Sequence, residues 1–391
     1  MLNMPAATAI PETFDANGKR LEPLPVGQLY WPSWERYEAV FRDIFDRQYY
    51  TNHGPLAQTL EQRLSAMLGV RHAICVSNAT IGLMMLGEAL GLRGKVIMPA
   101  FTFIATAQAL TWVGLEPLFC DVEAQTHQLD LTRVEALIDP EVSAILPVNL
   151  WGDCCAIPQL QDIATRHGLH LFFDSAHGFG CSFDDRPLGG FGDAEVFSFH
   201  ATKVISAAEG GCITTNDDAL ASKLRSIRSS YGAVGPVPVV KTSNGRMSEA
   251  HAAIALLNLD AFPRFLDRNR QIFDGYRAGL SGIDGLRLHR PSRTSATNHQ
   301  YIVCEVDESA FGMSRDALLQ HLQRHNIVAR RYFYPGVHRC PPFKNQPPPR
   351  ALPVTERLTG CLLQLPSGAL VQDDDVRMIC QIIFNASRRQ R

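Results

Sequence analysis

Between His72 and Asp174 short apolar runs alternate with helical patterns, and the runs are apolar almost throughout instead of on every second residue. His72–Ser77, Lys95–Pro99, Pro117–Val122, Ala144–Val148 and His170–Asp174 read as strands. Thr80–Leu90, a segment from Phe103, Thr132–Leu137 and Pro158–His167 read as the helices between them. Strands without a polar side must be buried on both faces, and that requires a parallel sheet held between two layers of helices. Two more apolar runs, Glu195–Phe199 and Cys212–Thr215, extend the pattern. In sheets of this kind ligands bind beyond the carboxyl ends of the strands, so the residues just past each strand are the ones to inspect.

Helices over Trp34–Gln48 and Leu56–Leu68 precede the sheet. After residue 217 the alternation weakens: a helix over Asp217–Ser229, a Gly/Pro/Val loop over 231–240, then a helical stretch Ser248–Leu280 that Pro263 is expected to break. A strand over Gln300–Val306, a helix Ser314–Arg324, a strand Ile327–Phe333 and helices near Thr355–Leu363 and Asp373–Asn385 follow. The expected organisation is an N-terminal arm over 1–25, a large α/β domain over 26–257 with a mostly parallel central sheet, and a smaller C-terminal α+β domain over 258–391.

The 37 basic and 39 acidic residues leave a net charge of −2, which makes no electrostatic case for nucleic acid or an anionic membrane surface. No apolar run approaches the length of a membrane span, and the first twenty residues hold no signal-like apolar core. The ten cysteines are scattered without a CxxC pair, so no metal site is expected and a reduced, cytoplasmic setting is.

Four strand ends carry polar or aromatic residues. Ser77–Gly82 places small residues and Thr80 and Ile81 at a helix start, where backbone amides and the helix dipole favour an anion. Phe103 follows the second strand, Asp174 and His177 follow the strand HLFF, and Ser198, His200 and Lys203 lie on the bend before Gly210–Gly211. Singly, each has a plainer role: helix cap, core aromatic, turn cap, solvated lysine. Jointly, an anion cradle, an aromatic plate, an acid for a ring nitrogen and a Schiff-base lysine compose a pyridoxal 5'-phosphate (PLP) site.

The segments TNHGPLAQTLEQRLSAMLGV, LFFDSAHGFG, SFHATKVISAAEGGCITTN, NGRMSEAHAAIALLNLD and RRYFYPGVH resemble the DegT/StrS family of PLP-dependent nucleotide-sugar aminotransferases, over nearly the whole chain. The resemblance implies the type I aminotransferase fold. It implies that Lys203 carries PLP as a Schiff base and shuttles the proton, Asp174 pairs with the pyridine nitrogen, and His177 bonds the ring's 3-hydroxyl oxygen. Phe103 would stack on the ring, while Thr80, Ile81 and Ser198 would receive the phosphate. Asn244 matches an asparagine that reaches the phosphate of the neighbouring subunit, which implies a homodimer with shared sites. Ser175 departs from the family's common alanine.

The implied reaction moves an amino group from L-glutamate to a nucleotide-linked ketosugar. Segments LPVGQLYWPSWERY and RRYFYPGVHR resemble the branch that aminates C4 of dTDP-4-keto-6-deoxyhexoses. C3 amination and UDP- or GDP-linked sugars are the alternatives, followed by a PLP-dependent sugar dehydratase, against which the lysine speaks, and a non-catalytic PLP-binding regulator. Arg330, Arg331 and His338 are candidate anchors for the diphosphate or the donor carboxylate.

Overall fold

In the computed structural model, which describes residues 12–28, 30–231, 237–345, 348 and 350–388, the seven apolar runs form one sheet. Helices α1 (Trp34–Arg47) and α2 (Pro55–Leu68) lead into β1 (His72–Val76), α3 (Ala79–Ala89), β2 (Lys95–Pro99), α4 (Ile104–Trp112) and β3 (Glu116–Cys120). A single turn, α5 (Leu131–Val134), then β4 (Val142–Ile145), α6 (Ile157–His167) and β5 (His170–Asp174) follow. A hairpin, β6 (Ser182–Phe183) and β7 (Arg186–Pro187), precedes β8 (Ala194–Ser198), β9 (Gly211–Thr215) and α7 (Asp218–Ile227).

The strand order is β1-β9-β8-β5-β4-β2-β3. Neighbours from β8 to β3 are parallel, and β9 is antiparallel to both β8 and β1. A parallel return needs a crossover helix. Residues 199–210 hold none, so the chain doubles back from β8 to β9 through the bend that carries Lys203.

Alternate residues of the strands enter opposite cores. Ile97, Phe173 and Phe197 pack with Leu64 of α2 and Leu160 of α6. Met98, Phe172 and Val196 pack with Leu86 of α3, Leu110 of α4 and Leu224 of α7. Both faces of the sheet are therefore covered, and only its edges and strand ends remain for a ligand.

Helix α8 (Glu249–Gly279) runs through Pro263 without a break, contrary to expectation. The missing amide removes one helical bond, whereas Phe262 and Phe265 on either side are buried and hold the helix in line. Its first half packs under the large sheet through Ala252, Ala255 and Leu259, and its second half joins the small-domain core through Ile272, Phe273 and Tyr276. The domain boundary expected at 257 thus falls inside one continuous helix.

The C-terminal part contains β10 (Leu286–Leu288), β11 (Ile302–Val306), α9 (Glu308–Phe311), α10 (Arg315–Arg324), α11 (Pro353–Cys361), β12 (Leu362–Leu365) and α12 (Asp373–Arg388). Its three strands form an antiparallel sheet in the order β10-β11-β12. The strand expected over Ile327–Phe333 is replaced by isolated bridges, Leu24 to Ile327 and Arg330 to Gln364. Leu362 and Leu363, expected at a helix end, lie instead in β12, whose four residues are all buried. Residues 12–28 lie along this domain, with Arg20 paired to Asp375 at 2.8 Å. The first eleven residues, and 232–236 of the expected loop, lie outside the described residues. Among the described residues no helix is long and apolar enough to cross a membrane.

A buried ion pair ties α2, β1 and α7 together. Glu61 Oε1 accepts from Arg228 Nη1 at 2.5 Å and from the Cys75 amide at 2.9 Å, and Oε2 lies 2.8 Å from His53 Nε2. Removing the cation leaves a carboxylate in the core. Arg228→Ala is expected to lower the unfolding free energy by about 3 kcal/mol or more in urea denaturation. A loss under about 1 kcal/mol, the range of an exposed pair, would show that the pair does not tie these elements.

Candidate active site

A cavity of about 580 Å³ opens where the parallel strands end. It brings together Lys203, Asp174, His177, Phe103 and Ser198 with Thr80 and Ile81 at the start of α3, and Arg330 joins them from the small domain. Asn244, Arg331 and His338 are not among its lining residues. Asn244 is exposed and accepts a hydrogen bond from Arg246. Arg331 lies over the Tyr334 ring at 4.4 Å and 3.5 Å from Asp316 of α10. His338 is buried with Nε2 3.7 Å from Glu356 of α11.

Asp174 closes β5. Burial pushes its carboxyl pKa up, against Thr106 Oγ1, which donates to Oδ2 at 2.9 Å, and the Ala176 amide, which donates to Oδ1 at 3.1 Å. Lys203 Nζ donates to Tyr301 Oη at 3.0 Å. Burial lowers the pKa of this amine to about 8, and the Asp174 charge opposes the shift without cancelling it. His177 is buried and held neutral, because burial and the Lys203 charge push its pKa well down. Its Nδ1 has no hydrogen-bond partner among the described residues.

The anion end is built on α3. Asn78 caps the helix by accepting from the Ile81 amide at 2.9 Å, so that amide is already engaged. The amides of Ala79 and Thr80, in the first turn, have no intrahelical acceptor. Gly211 lets this backbone approach the sheet: a Cβ there would lie 2.8 Å from the Ala79 nitrogen. Ser198 is the register partner of Gly211, so its hydroxyl stands one strand away from the helix start.

These residues fit PLP. An orphaned buried imidazole nitrogen, a buried carboxylate with an unused lone pair on each oxygen, a softened lysine and a helix start match the ring hydroxyl, ring nitrogen, aldehyde and phosphate of that molecule.

Several contributors escape the sequence. Thr106, one helical turn beyond Phe103, orients Asp174. Trp151 is fully buried and stacks on Phe333 at 5.2 Å and 13°. Tyr301 packs against the His177 ring at 4.1 Å. The run of aromatics near Tyr332 was a visible signal. Tyr301 had none, being a tyrosine at the start of a strand in the other domain.

The profile of the DegT/DnrJ/EryC1/StrS aminotransferase family matches residues 34–384. A dTDP-4-amino-4,6-dideoxy-D-glucose transaminase of Shigella dysenteriae is 37% identical over 317 residues, 81% of this chain and 86% of that protein. An enzyme of the same name from Escherichia coli is 30% identical, covering 92% of this chain and 98% of its own. The crystal structure of DesI with its TDP-sugar product superposes with a TM-score of 0.92 at 42% identity, covering 97% of this chain and 95% of DesI.

Behind Asp174 lies a second carboxyl. Glu195 of β8 is fully buried; its Oε1 accepts from the amides of Gly189 at 2.6 Å and Phe191 at 3.1 Å, and its Oε2 from Ser175 Oγ at 2.5 Å. Ser175 in turn accepts from Asn149 Nδ2 at 2.9 Å, which accounts for a serine at this position. Burial outweighs the three donors and raises the Glu195 pKa from 4.5 to about 7. The fold therefore favours the protonated acid. That contribution, on the order of 3 kcal/mol, is complete below the ordinary carboxyl range and is lost as pH rises through about 7. Glu195→Gln should flatten the fall in stability between pH 5 and pH 8 in denaturation curves. An unchanged slope would show that Glu195 does not titrate in this range.

Proposed function

The chain belongs to the DegT/DnrJ/EryC1/StrS aminotransferase family, and we propose that it transfers an amino group from L-glutamate to C4 of a dTDP-linked 4-keto-6-deoxyhexose. PLP would be its cofactor, and two copies of the chain would share their sites. The observation that carries this reading is the convergence of Lys203, Asp174 and His177 in one cavity beside the start of α3.

Bound there, the cofactor would supply an electrophilic carbon for amines and a ring that takes up the electron pair left when a proton is removed. Lys203, with a pKa near 8, keeps a usable fraction of neutral amine at neutral pH. It can attack a carbonyl carbon, and when released it can accept a proton at Nζ and return it to the carbon that gains the amine. Asp174, fixed by Thr106 and Ala176, would hold the proton on the ring nitrogen. His177, being neutral, would donate one N–H without adding charge. The Ala79 and Thr80 amides and the Ser198 hydroxyl would take the phosphate, and Phe103, exposed at the cavity, would cover the ring. Arg330 presents a planar guanidinium suited to a carboxylate or a diphosphate.

The names of the two curated relatives put the amino group at C4 of a dTDP-sugar, and DesI holds a TDP-sugar product; both support this substrate class. Sharing of sites is supported by Asn244. It is exposed and outside its own cavity, yet the adjacent Gly245 packs against Ile81 of α3, beside the anion end.

Lys203→Ala is expected to abolish glutamate-dependent amination of a dTDP-4-keto-6-deoxyhexose, followed by NMR of the product, with circular dichroism unchanged. Turnover at the wild-type rate would overturn the assignment. Asn244→Ala and Lys203→Ala chains, each weak alone, should regain about a quarter of wild-type activity when refolded together, since half the dimers are mixed and each mixed dimer has one intact site. A mixture no better than the mean of its parts would refute sharing.

A further inference from the structure

The Lys203 amine is held by a residue of the small domain. Tyr301, at the foot of β11, accepts from Nζ at 3.0 Å, and its neighbour Gln300 grips the lysine's backbone from both sides. Gln300 Nε2 donates to the Thr202 carbonyl at 3.1 Å, and the Val204 amide donates to Gln300 Oε1 at 3.1 Å. Gln300 is itself fixed, its amide donating to Asn298 Oδ1 at 2.9 Å and its carbonyl accepting from Ser367 Oγ at 2.6 Å. Asn298 Nδ2 donates to the carbonyls of His177 at 2.9 Å and Phe179 at 3.0 Å. Residues 298–301 thus set the spacing between the His177 and Lys203 segments. The Tyr301 ring packs against His177 at 4.1 Å and Trp151 at 5.3 Å, so its hydroxyl cannot swing away without opening that aromatic cluster.

A transaminase uses one lysine both as an attached amine and as a free proton carrier. When free, the four-carbon stem has many rotamers, of which few put the amine beside the reacting carbon. We propose that Tyr301 is a positioning residue for Lys203: its hydroxyl holds the released amine in the proton-transfer position, and the small domain fixes that position through residues 298–301. A phenol is suited to this because it accepts from the ammonium and donates to the neutral amine, so it keeps hold as the proton comes and goes. The bond to the ammonium is charge-assisted and the stronger of the two. Tyr301 therefore favours the proton-loaded amine and opposes the burial that brings its pKa to about 8.

The proposal rests on the aminotransferase reading, and its test separates the two. Tyr301→Phe keeps the ring and removes only the hydroxyl. In the full-length protein purified free of cofactor, the rate of Lys203 carbamylation by cyanate, resolved by peptide mass spectrometry, reports the amine's titration midpoint. Tyr301→Phe should move that midpoint down by about half a pH unit or more, because the charged form loses the stronger bond. In the loaded enzyme kcat should fall about tenfold, the size of a misplaced proton carrier, with KM for the ketosugar within about twofold. An unchanged midpoint, or a change in KM and melting temperature with kcat preserved, would overturn the role of Tyr301. Absence of any amination by the wild-type enzyme would overturn the reaction instead, while leaving the cyanate midpoint measurable.

Discussion

A parallel sheet covered by helices on both faces offers a ligand no surface except the line where its strands stop, and the site follows from that constraint. β5 ends on Asp174, β8 ends on Ser198, β1 hands over to the start of α3, and β2 leads to Phe103. Their side chains meet in one cavity because their strands belong to one sheet, β5 beside β8, with one strand between β8 and β1 and one between β5 and β2, although they lie far apart in sequence. The one irregular step shapes the cavity. Between β8 and β9 the chain turns back without a crossover helix, and the bend so formed places Lys203 beside Asp174.

The sheet makes only one side of the cavity. The small domain closes it with Tyr332 and Phe333, backed by Trp151 and Tyr301, and adds Arg330 as a cation. This wall lowers the polarity around the amine and the acid together. The amine becomes easier to deprotonate and the carboxyl easier to protonate, shifts that would be slight in water. α8 belongs to both cores, so the two walls share a rigid element and the separation of Lys203 from Tyr301 is built into the fold.

Much of this was legible beforehand. Lys95–Pro99 and His170–Asp174 are strands with the expected bounds, because unbroken apolar runs between helical patterns admit few other structures. Lys203, Asp174, His177, Phe103 and Ser198 could be picked out because each closes or follows a strand. The failures share a cause. Pro263 reads as a helix break until the buried phenylalanines beside it are known. Ile327–Phe333 has the composition of a strand, yet after Arg330 its aromatics turn into the cavity wall. Arg331 and Arg330 are adjacent and chemically identical, but only Arg330 lines the cavity.

The sequence by itself determined the two-sided sheet, the order of the strand-end residues and the identity of the lysine, because hydrophobic periodicity and chain order are local properties. Tertiary structure alone decided which of two adjacent arginines faces the cavity, that Thr106 orients Asp174, that Ser175 serves Glu195, and that Tyr301 meets an amine 98 positions away. These are contacts between elements remote in sequence, and their distances are set by how the two domains pack around α8, which no short stretch of residues encodes.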